Sequence, residues 1–302
     1  MNELSKAIAA TYRDRDKLVS GVARHLIRQM NQEDRRQDVI HPSEVAKKTW
    51  CPRALYYRIS GVKTDIVPRK LAFEIAFETG HDAHRKWQDW FWEMGTLKGV
   101  FGCLNCDLHW WDQSPITCIR CEVGKELLYY AEVPVSNPEH LLYGSADGDI
   151  VRADGGSVLI EIKTIGTGTV RIEMPRLMER YTYHHVDEDG DVRTGVDWYG
   201  LWSGIRRPFP AHVRQGMIYC FCYGRDEIVY IYDPKFITAY PKEFELKFRK
   251  DLIADTLDDC LVVKNALEKQ KAPRRPMWAE VDHSICKQCP FQKTCYSGLA
   301  QS

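Results

Sequence analysis

The sequence predicts a mixed α/β fold, and three observations carry that prediction. Apolar residues recur at helical spacing through residues 43–93 and 209–223. Residues 127–164 and 227–233 instead alternate with period two, the spacing of strands. At 302 residues, 44% hydrophobic and 28% charged, the chain has ordinary globular composition and length for one large domain or two smaller ones.

Taken in order, residues 3–30 have helical spacing within an N-terminal helical segment, 1–42. Ser43 suits an N-cap for a second helix that runs through Leu55 and Tyr56, with a break that Pro52 imposes near Cys51. Leu71 to Glu93 reads as a third helix carrying Gly80 and His84. Leu127–Val135, Leu141–Val151 and Val158–Thr164 read as strands, the last two joined by the turn Ala153-Asp154-Gly155-Gly156. Helix resumes at 209–223, a strand follows at 227–233, and 241–270 reads as one long charged helix. Residues 165–208 are too many for an ordinary connection and read as an insertion with its own hairpin at Asp187–Asp191. Its aromatic residues, among them Tyr183, Tyr199 and Trp202, interleave with Arg193 and Arg206. That pattern fits a platform for stacking single-stranded bases or a small satellite core.

No apolar run approaches the roughly 20 residues that span a bilayer. The stretch MNELSKAIAATYRDRDKLV is broken by charges, unlike a secretory leader, so a cytoplasmic protein with no membrane association is expected. Forty-two basic and forty-two acidic residues cancel, which counts against indiscriminate polyanion binding. Residues 1–70 nevertheless hold 15 Lys/Arg against 8 Asp/Glu, a basic face able to track phosphates or simply to be solvated.

Eleven cysteines in a reducing compartment point to metal ligation. Cys103-x2-Cys106 and Cys118-x2-Cys121, eleven residues apart, have the spacing of a structural zinc ribbon inserted at 100–124. Cys286, Cys289 and Cys295 supply three thiolates, and Cys51 is the best candidate for the fourth. Prolines follow both Cys51 and Cys289, a pattern of iron–sulfur ligation, with a second zinc as the alternative. Cys220, Cys222 and Cys260 read as core thiols.

The sharpest chemistry lies in Gly144-Ser-Ala-Asp147-Gly-Asp149 and Leu159-Ile-Glu161-Ile-Lys163. On a strand, Glu161 and Lys163 share one face while Ile160 and Ile162 pack on the other. A hairpin brings Asp147 or Asp149 beside Glu161, and two converging carboxylates suit Mg2+ or Mn2+. The competing reading is a surface hairpin with an ordinary Glu–Lys pair.

The order Gly80-x3-His84, Gly144-x2-Asp147, Glu161-Ile-Lys163 and Gln215-x3-Tyr219 resembles the RecB-type branch of the PD-(D/E)XK nucleases. With Cys51 upstream and Cys286, Cys289 and Cys295 downstream, it is similar to the iron–sulfur exonucleases typified by the CRISPR-associated exonuclease four family and the AddB-type nuclease domain. The likeness spans residues 43–296, leaving 297–302 as a tail. It implies a restriction-endonuclease-like mixed sheet flanked by helices, with the zinc ribbon as an insertion and a 4Fe–4S cluster joining the two ends. It further implies Mg2+ or Mn2+ held by His84, Asp147, Glu161 and the Ile162 carbonyl. Asp147, Glu161, Lys163, Gln215 and Tyr219 take the catalytic roles. The implied activity is exonucleolysis of single-stranded DNA ends, 5′→3′, with 165–208 on the substrate side and recombination or CRISPR-adaptation proteins as partners. RNA or branched DNA is the variant substrate, and a non-catalytic nucleic-acid-binding or adaptor protein is the rival of another class.

Overall fold

The computed structural model describes residues 35–64 and 71–297, with the isolated positions Leu18, Gly21, Val22 and His25. Apart from those four positions, the helix expected over 3–30 lies outside the described residues, as does the tail from 298.

Two short helices, α1 (Pro42–Val45) and α2 (Pro52–Ile59), precede the long α3 (Leu71–Glu93). Each short helix begins on its proline, where the missing N–H costs nothing. The expected helix from Ser43 is thus two helices, with Pro52 starting the second one.

The main sheet has seven strands: β1 (Leu97–Cys103), β2 (His109–Gln113), β3 (Leu128–Tyr130), β6 (Gly148–Val151), β7 (Ser157–Ile165), β10 (Glu227–Pro234) and β11 (Lys242–Lys247). Their order is β11-β10-β7-β6-β1-β2, with β3 also on β1. The sheet is mixed: β7 runs parallel to β10 and antiparallel to β6. Strands β4 (Val133–Asn137) and β5 (Leu142–Ala146) form a separate antiparallel pair.

Strand β7 is central and covered on both faces, and its residues are apolar there apart from the charged pair Glu161 and Lys163 and the polar Ser157 and Thr164. Val158, Ile160 and Ile162 pack with Trp87, Phe91 and Trp92 of α3. Leu159 and Ile165 pack on the opposite face with α7 (Pro210–Tyr223) and α8 (Ala254–Glu268). Helix α7 stops at Gly224, whose φ of 75° lets the chain turn. Gly216 lets α7 lie close on β10, since a Cβ there would collide with the Tyr230 hydroxyl.

Between β7 and β10 come α4 (Thr167–Glu173), α5 (Pro175–Arg180), the hairpin β8 (Thr182–Val186) and β9 (Val192–Val196), and α6 (Trp198–Gly204). The hairpin turns where Asp187–Asp191 signals it. Most of the aromatic set serves the main core: Trp202 is buried in it, and Tyr181 and Trp198 pack against it, while Tyr183 and Tyr199 stay exposed.

Three strand and helix assignments need correction. The run 127–135 is two strands, because Glu132 takes a φ of 64° that no ladder tolerates. The run 141–151 likewise breaks at Asp147, which separates β5 from β6. The supposed helix 241–270 opens with strand β11, where KEFELK alternates half-buried and exposed, and becomes helix α8 only from Ala254. Strands β1 and β2, hidden among the cysteines and glycines of 97–113, were not legible.

Candidate active site

The breaks at Glu132 and Asp147 coincide in space. In the β4–β5 ladder Val133 stands opposite Ala146, so the next step along it sets Glu132 beside Asp147 as both chains leave the small sheet for the large one. The Asp147 carboxylate accepts the Ile162 N–H at 2.5 Å through Oδ2 and meets His84 Nδ1 at 3.1 Å through Oδ1. One turn beyond His84, Gln88 donates to the Asp147 carbonyl at 2.9 Å. Helix α3 therefore grips both the side chain and the backbone of Asp147.

Register decides between the two aspartates. Gly148 pairs with Ile160 and Asp149 with Leu159, so the same register carries Asp147 to Glu161 and leaves Asp149 two residues further along the strand, opposite Leu159. Asp149 is fully buried, 2.5 Å from Arg225 and 3.1 Å from the Tyr223 hydroxyl, a structural pair away from His84. Gly148 admits this approach because a Cβ would come within 3.0 Å of Leu97 and 3.1 Å of Ile160.

Glu161 and Lys163 share the face of β7 opposite Ile160 and Ile162, as expected. The Lys163 ammonium lies 2.5 Å from Glu161 Oε1, and Glu161 is 1% exposed. Beyond that ammonium, neither Glu161 oxygen has a hydrogen-bond donor among the described residues. A buried carboxylate left this way is poised for a cation.

The groups perturb one another. Burial raises the Glu161 carboxyl to about 7 against the attraction of Lys163. Burial also resists ionisation of Asp147, yet His84, Lys163 and the Ile162 N–H bring it below its ordinary value. His84 and Lys163 both pay for burial, and the facing carboxylates still hold them above theirs.

His84, Glu132 and Asp147 bring three ligand atoms within 4.8 Å of one another, a site for a metal ion. Glu132 is the residue the sequence reading missed. Ser145 donates to its carboxylate, and burial with Asp147 nearby raises its pKa. The available signal was a charge inside an otherwise apolar run, the same signal that singled out Glu161. Glu161 itself is not in that trio, although its charge is felt at His84 and the charge of Asp147 is felt at Glu161. Ile162, expected to offer its carbonyl, engages Asp147 through its N–H.

Gln215 and Tyr219 are buried on α7, and Gln215 Nε2 donates to the Tyr219 hydroxyl at 2.8 Å. Burial raises the Tyr219 phenol, and the nearby Glu161 and Asp147 carboxylates add to the effect. A cleft of 1010 Å3 opens at His81 and His84. Among the described residues, Lys47, Lys48, Arg214 and Lys235 line it against the single acid Glu173.

Both cysteine sets assemble. Cys103 and Cys121 sulfurs lie 3.6 Å apart and those of Cys106 and Cys118 3.7 Å, near the roughly 3.8 Å edge of a tetrahedral zinc–thiolate site. The two knuckles share a geometry: Asp107 and Glu122, each following the second cysteine, have φ of 52° and 58°. Cys51, Cys286, Cys289 and Cys295 line one small cavity, which brings residues near the two ends of the described chain together. Among the described residues no three of these sulfurs come within 4.8 Å, so they surround a wider space than the ribbon does. Cys220 and Cys260 are core thiols, as expected.

No family model and no curated protein matches the chain. Among solved structures, it is similar to the alkaline exonuclease LHK-Exo from Laribacter hongkongensis at 16% identity, covering 78% of this chain and 90% of that one, with a TM-score of 0.41. The same protein in complex with dAMP gives 0.43. The structure of SSO0001 is similar at 14% identity over 93% of this chain and 96% of that one, with a TM-score of 0.43. Likenesses this distant say nothing about chemistry, which rests on the residues of the site. Among the described residues no helix is long and apolar enough to cross a membrane.

Proposed function

We propose that the chain is a metal-dependent deoxyribonuclease of the PD-(D/E)XK class, acting exonucleolytically on single-stranded DNA ends with 5′→3′ polarity. One observation carries the reading: Asp147 is clasped between His84 and β7, with Glu161 and Lys163 following on the adjacent face, beside a basic cleft. His84, Asp147 and Glu132 form the divalent site, Glu161 contributes its unsatisfied carboxylate, and the oxygen-rich donor set suits Mg2+ or Mn2+. Such an ion, when bound, polarises a phosphodiester and lowers the pKa of water. Lys163, kept cationic by Glu161, offsets charge developing on phosphorus. Lys47, Lys48, Arg214 and Lys235 hold the backbone of the strand.

We assign structural zinc to the ribbon and a 4Fe–4S cluster to Cys51, Cys286, Cys289 and Cys295, because their sulfurs stand further apart than those of the ribbon and suit a cluster more than one ion. The setting is DNA recombination, repair or CRISPR-like processing in the cytoplasm. A non-catalytic binder would use the cleft and both cysteine sites, but it leaves the costly burial of Glu161 and Lys163 without a purpose. The test is digestion of end-labelled single strands with Mn2+ or Mg2+ by wild type, Asp147→Ala and Lys163→Ala. Loss in both variants supports the reading, and equal activity in all three overturns it.

A further inference from the structure

His212 lies one turn before Gln215 on α7 and makes a different set of contacts. The Phe209 N–H donates to the Tyr232 hydroxyl oxygen at 2.7 Å, and that oxygen lies 2.6 Å from His212 Nδ1. Tyr232 is fully buried, so its own proton needs an acceptor. His212 Nδ1 is the acceptor within reach, which fixes the imidazole as the neutral tautomer with its hydrogen on Nε2. Burial, with the Lys163 charge adding to it, holds the ring's pKa down to about 3, so this tautomer persists at working pH.

The placement matters as much as the tautomer. Tyr232 pairs with Lys163 across the parallel β7–β10 ladder, so His212 stands over the stretch of sheet that carries Lys163. Its neighbours Ala211 and Arg214 line the basic cleft, as does Thr164 beside Lys163. The Nε2–H has no hydrogen-bond partner among the described residues, and Nε2 is not one of the sealed, unsatisfied atoms. An imidazole N–H and an ammonium are both donors and cannot satisfy each other. Only an acceptor, of the kind a phosphate oxygen provides, satisfies both.

We propose that His212 is a substrate-binding residue whose Nε2–H donates to a non-bridging phosphate oxygen of the strand in the cleft, next to the Lys163 ammonium. The proposal rests on the nuclease reading for the identity of the strand, and nothing in that reading requires His212. The Phe209–Tyr232–His212 chain acts as a preset: it keeps the imidazole a donor, never an acceptor, toward the phosphate.

The test uses the full chain carrying Asp147→Asn, so that a labelled single-stranded oligonucleotide binds without turnover, followed by fluorescence anisotropy. His212→Phe keeps a ring and loses the donor, and should weaken binding about tenfold or more. His212→Asn restores a donor and should recover most of that loss. Thermal melting checks that each variant is folded. Nitrogen-15 NMR of the unbound protein should show the hydrogen of His212 on Nε2, and Tyr232→Phe should release that preference and weaken binding. Undiminished affinity in folded His212→Phe, or a hydrogen on Nδ1 in the unsubstituted protein, overturns the proposal and leaves the nuclease reading intact. Failure of the Asp147→Asn parent to bind the strand overturns both.

Discussion

The Asp147 carboxylate accepts the Ile162 backbone N–H at 2.5 Å, so the break between β5 and β6 is sealed by a bond to the central strand. Asp149, two residues on, is committed instead to Arg225. The two aspartates should therefore fail differently. Asp147→Asn keeps an oxygen for Ile162 but gives up the charge facing His84, and should lower the rate of strand hydrolysis a hundredfold or more with melting little changed. Asp149→Asn breaks a buried ion pair and should cost about 3–5 kcal/mol of stability, leaving hydrolysis per folded molecule near wild type. Urea unfolding beside single-turnover digestion separates the two. A rate loss in Asp149→Asn as deep as that in Asp147→Asn would mean the site is assigned to the wrong carboxylate.

Glu132 enters the site from a position with no motif around it. Glu132→Gln preserves an acceptor for Ser145 and the backbone turn, so the fold should survive. Removing one of three clustered ligand groups should weaken divalent-ion binding about 10- to 100-fold, read by calorimetric Mn2+ titration. Unchanged Mn2+ affinity would exclude Glu132 from the coordination shell.

What was legible in the sequence followed from local period and spacing. Strand β7 and helices α3 and α7 were readable because each is long and its pattern regular, and the cysteine pairs announced themselves by spacing. Local pattern left Asp147 and Asp149 interchangeable, because the register that the β6–β7 pairing sets stays open by one residue in a sequence, and only the resemblance chose Asp147. Glu132 and Asp147 meet through the small β4–β5 sheet, a tertiary coincidence of two chain breaks. Strand β11 reads as helix in the sequence because its alternation is short and continues into the amphipathic pattern of α8. His212 carries no motif, and only the tyrosine behind it gives it a role.

Charge in the site should make the metal-free protein unusually sensitive to mild alkali. Glu161 titrates near 7 when folded and near 4.5 ordinarily, so between those values the folded chain keeps a proton that the unfolded chain has released. Stability therefore falls as pH rises across that window. His84 acts in the same direction: its raised pKa stabilises fully below 6.5, and that gain is lost as pH rises through the folded value. Asp147 opposes at the acid end, since its lowered pKa stabilises above 3.8 and is lost as pH drops through the folded value. Melting temperature in chelator should decline from about pH 5 toward 8, and saturating Mn2+ should flatten or reverse that slope by favouring the ionised carboxylates. A melting temperature that climbs over the same range in chelator would contradict the burial of Glu161.

The basic cleft makes a quantitative claim about salt. Lys47 and Lys48 line it on the loop that follows α1, and Arg214 holds that loop by donating to the Ala46 carbonyl at 2.6 Å. Lys47→Ala and Lys48→Ala should each weaken single-strand binding uniformly across sequences. Each should also reduce the slope of log affinity against log salt by about 0.7. Anisotropy titrations at several salt concentrations give that slope. An unaltered slope in the double variant would place the strand elsewhere.

The two cysteine sites should differ in what they hold together. The ribbon closes a local loop between Cys103 and Cys121, and its ends are already tied by the pairing of β1 with β2 and β3. The second site joins Cys51 to Cys286, 235 residues away, and so restrains nearly the whole unfolded chain. Loop-closure entropy grows with the logarithm of length and puts such a cross-link at about 5 kcal/mol as an upper figure. The ribbon gains little, because the strands already impose its closure. Cys118→Ser should therefore release zinc and loosen the ribbon with a small fall in overall stability. Cys51→Ser should release iron and lower the melting temperature much further. Elemental analysis paired with thermal unfolding of each variant decides the point, and equal destabilisation by the two substitutions would show that the second site does not staple the ends of the fold.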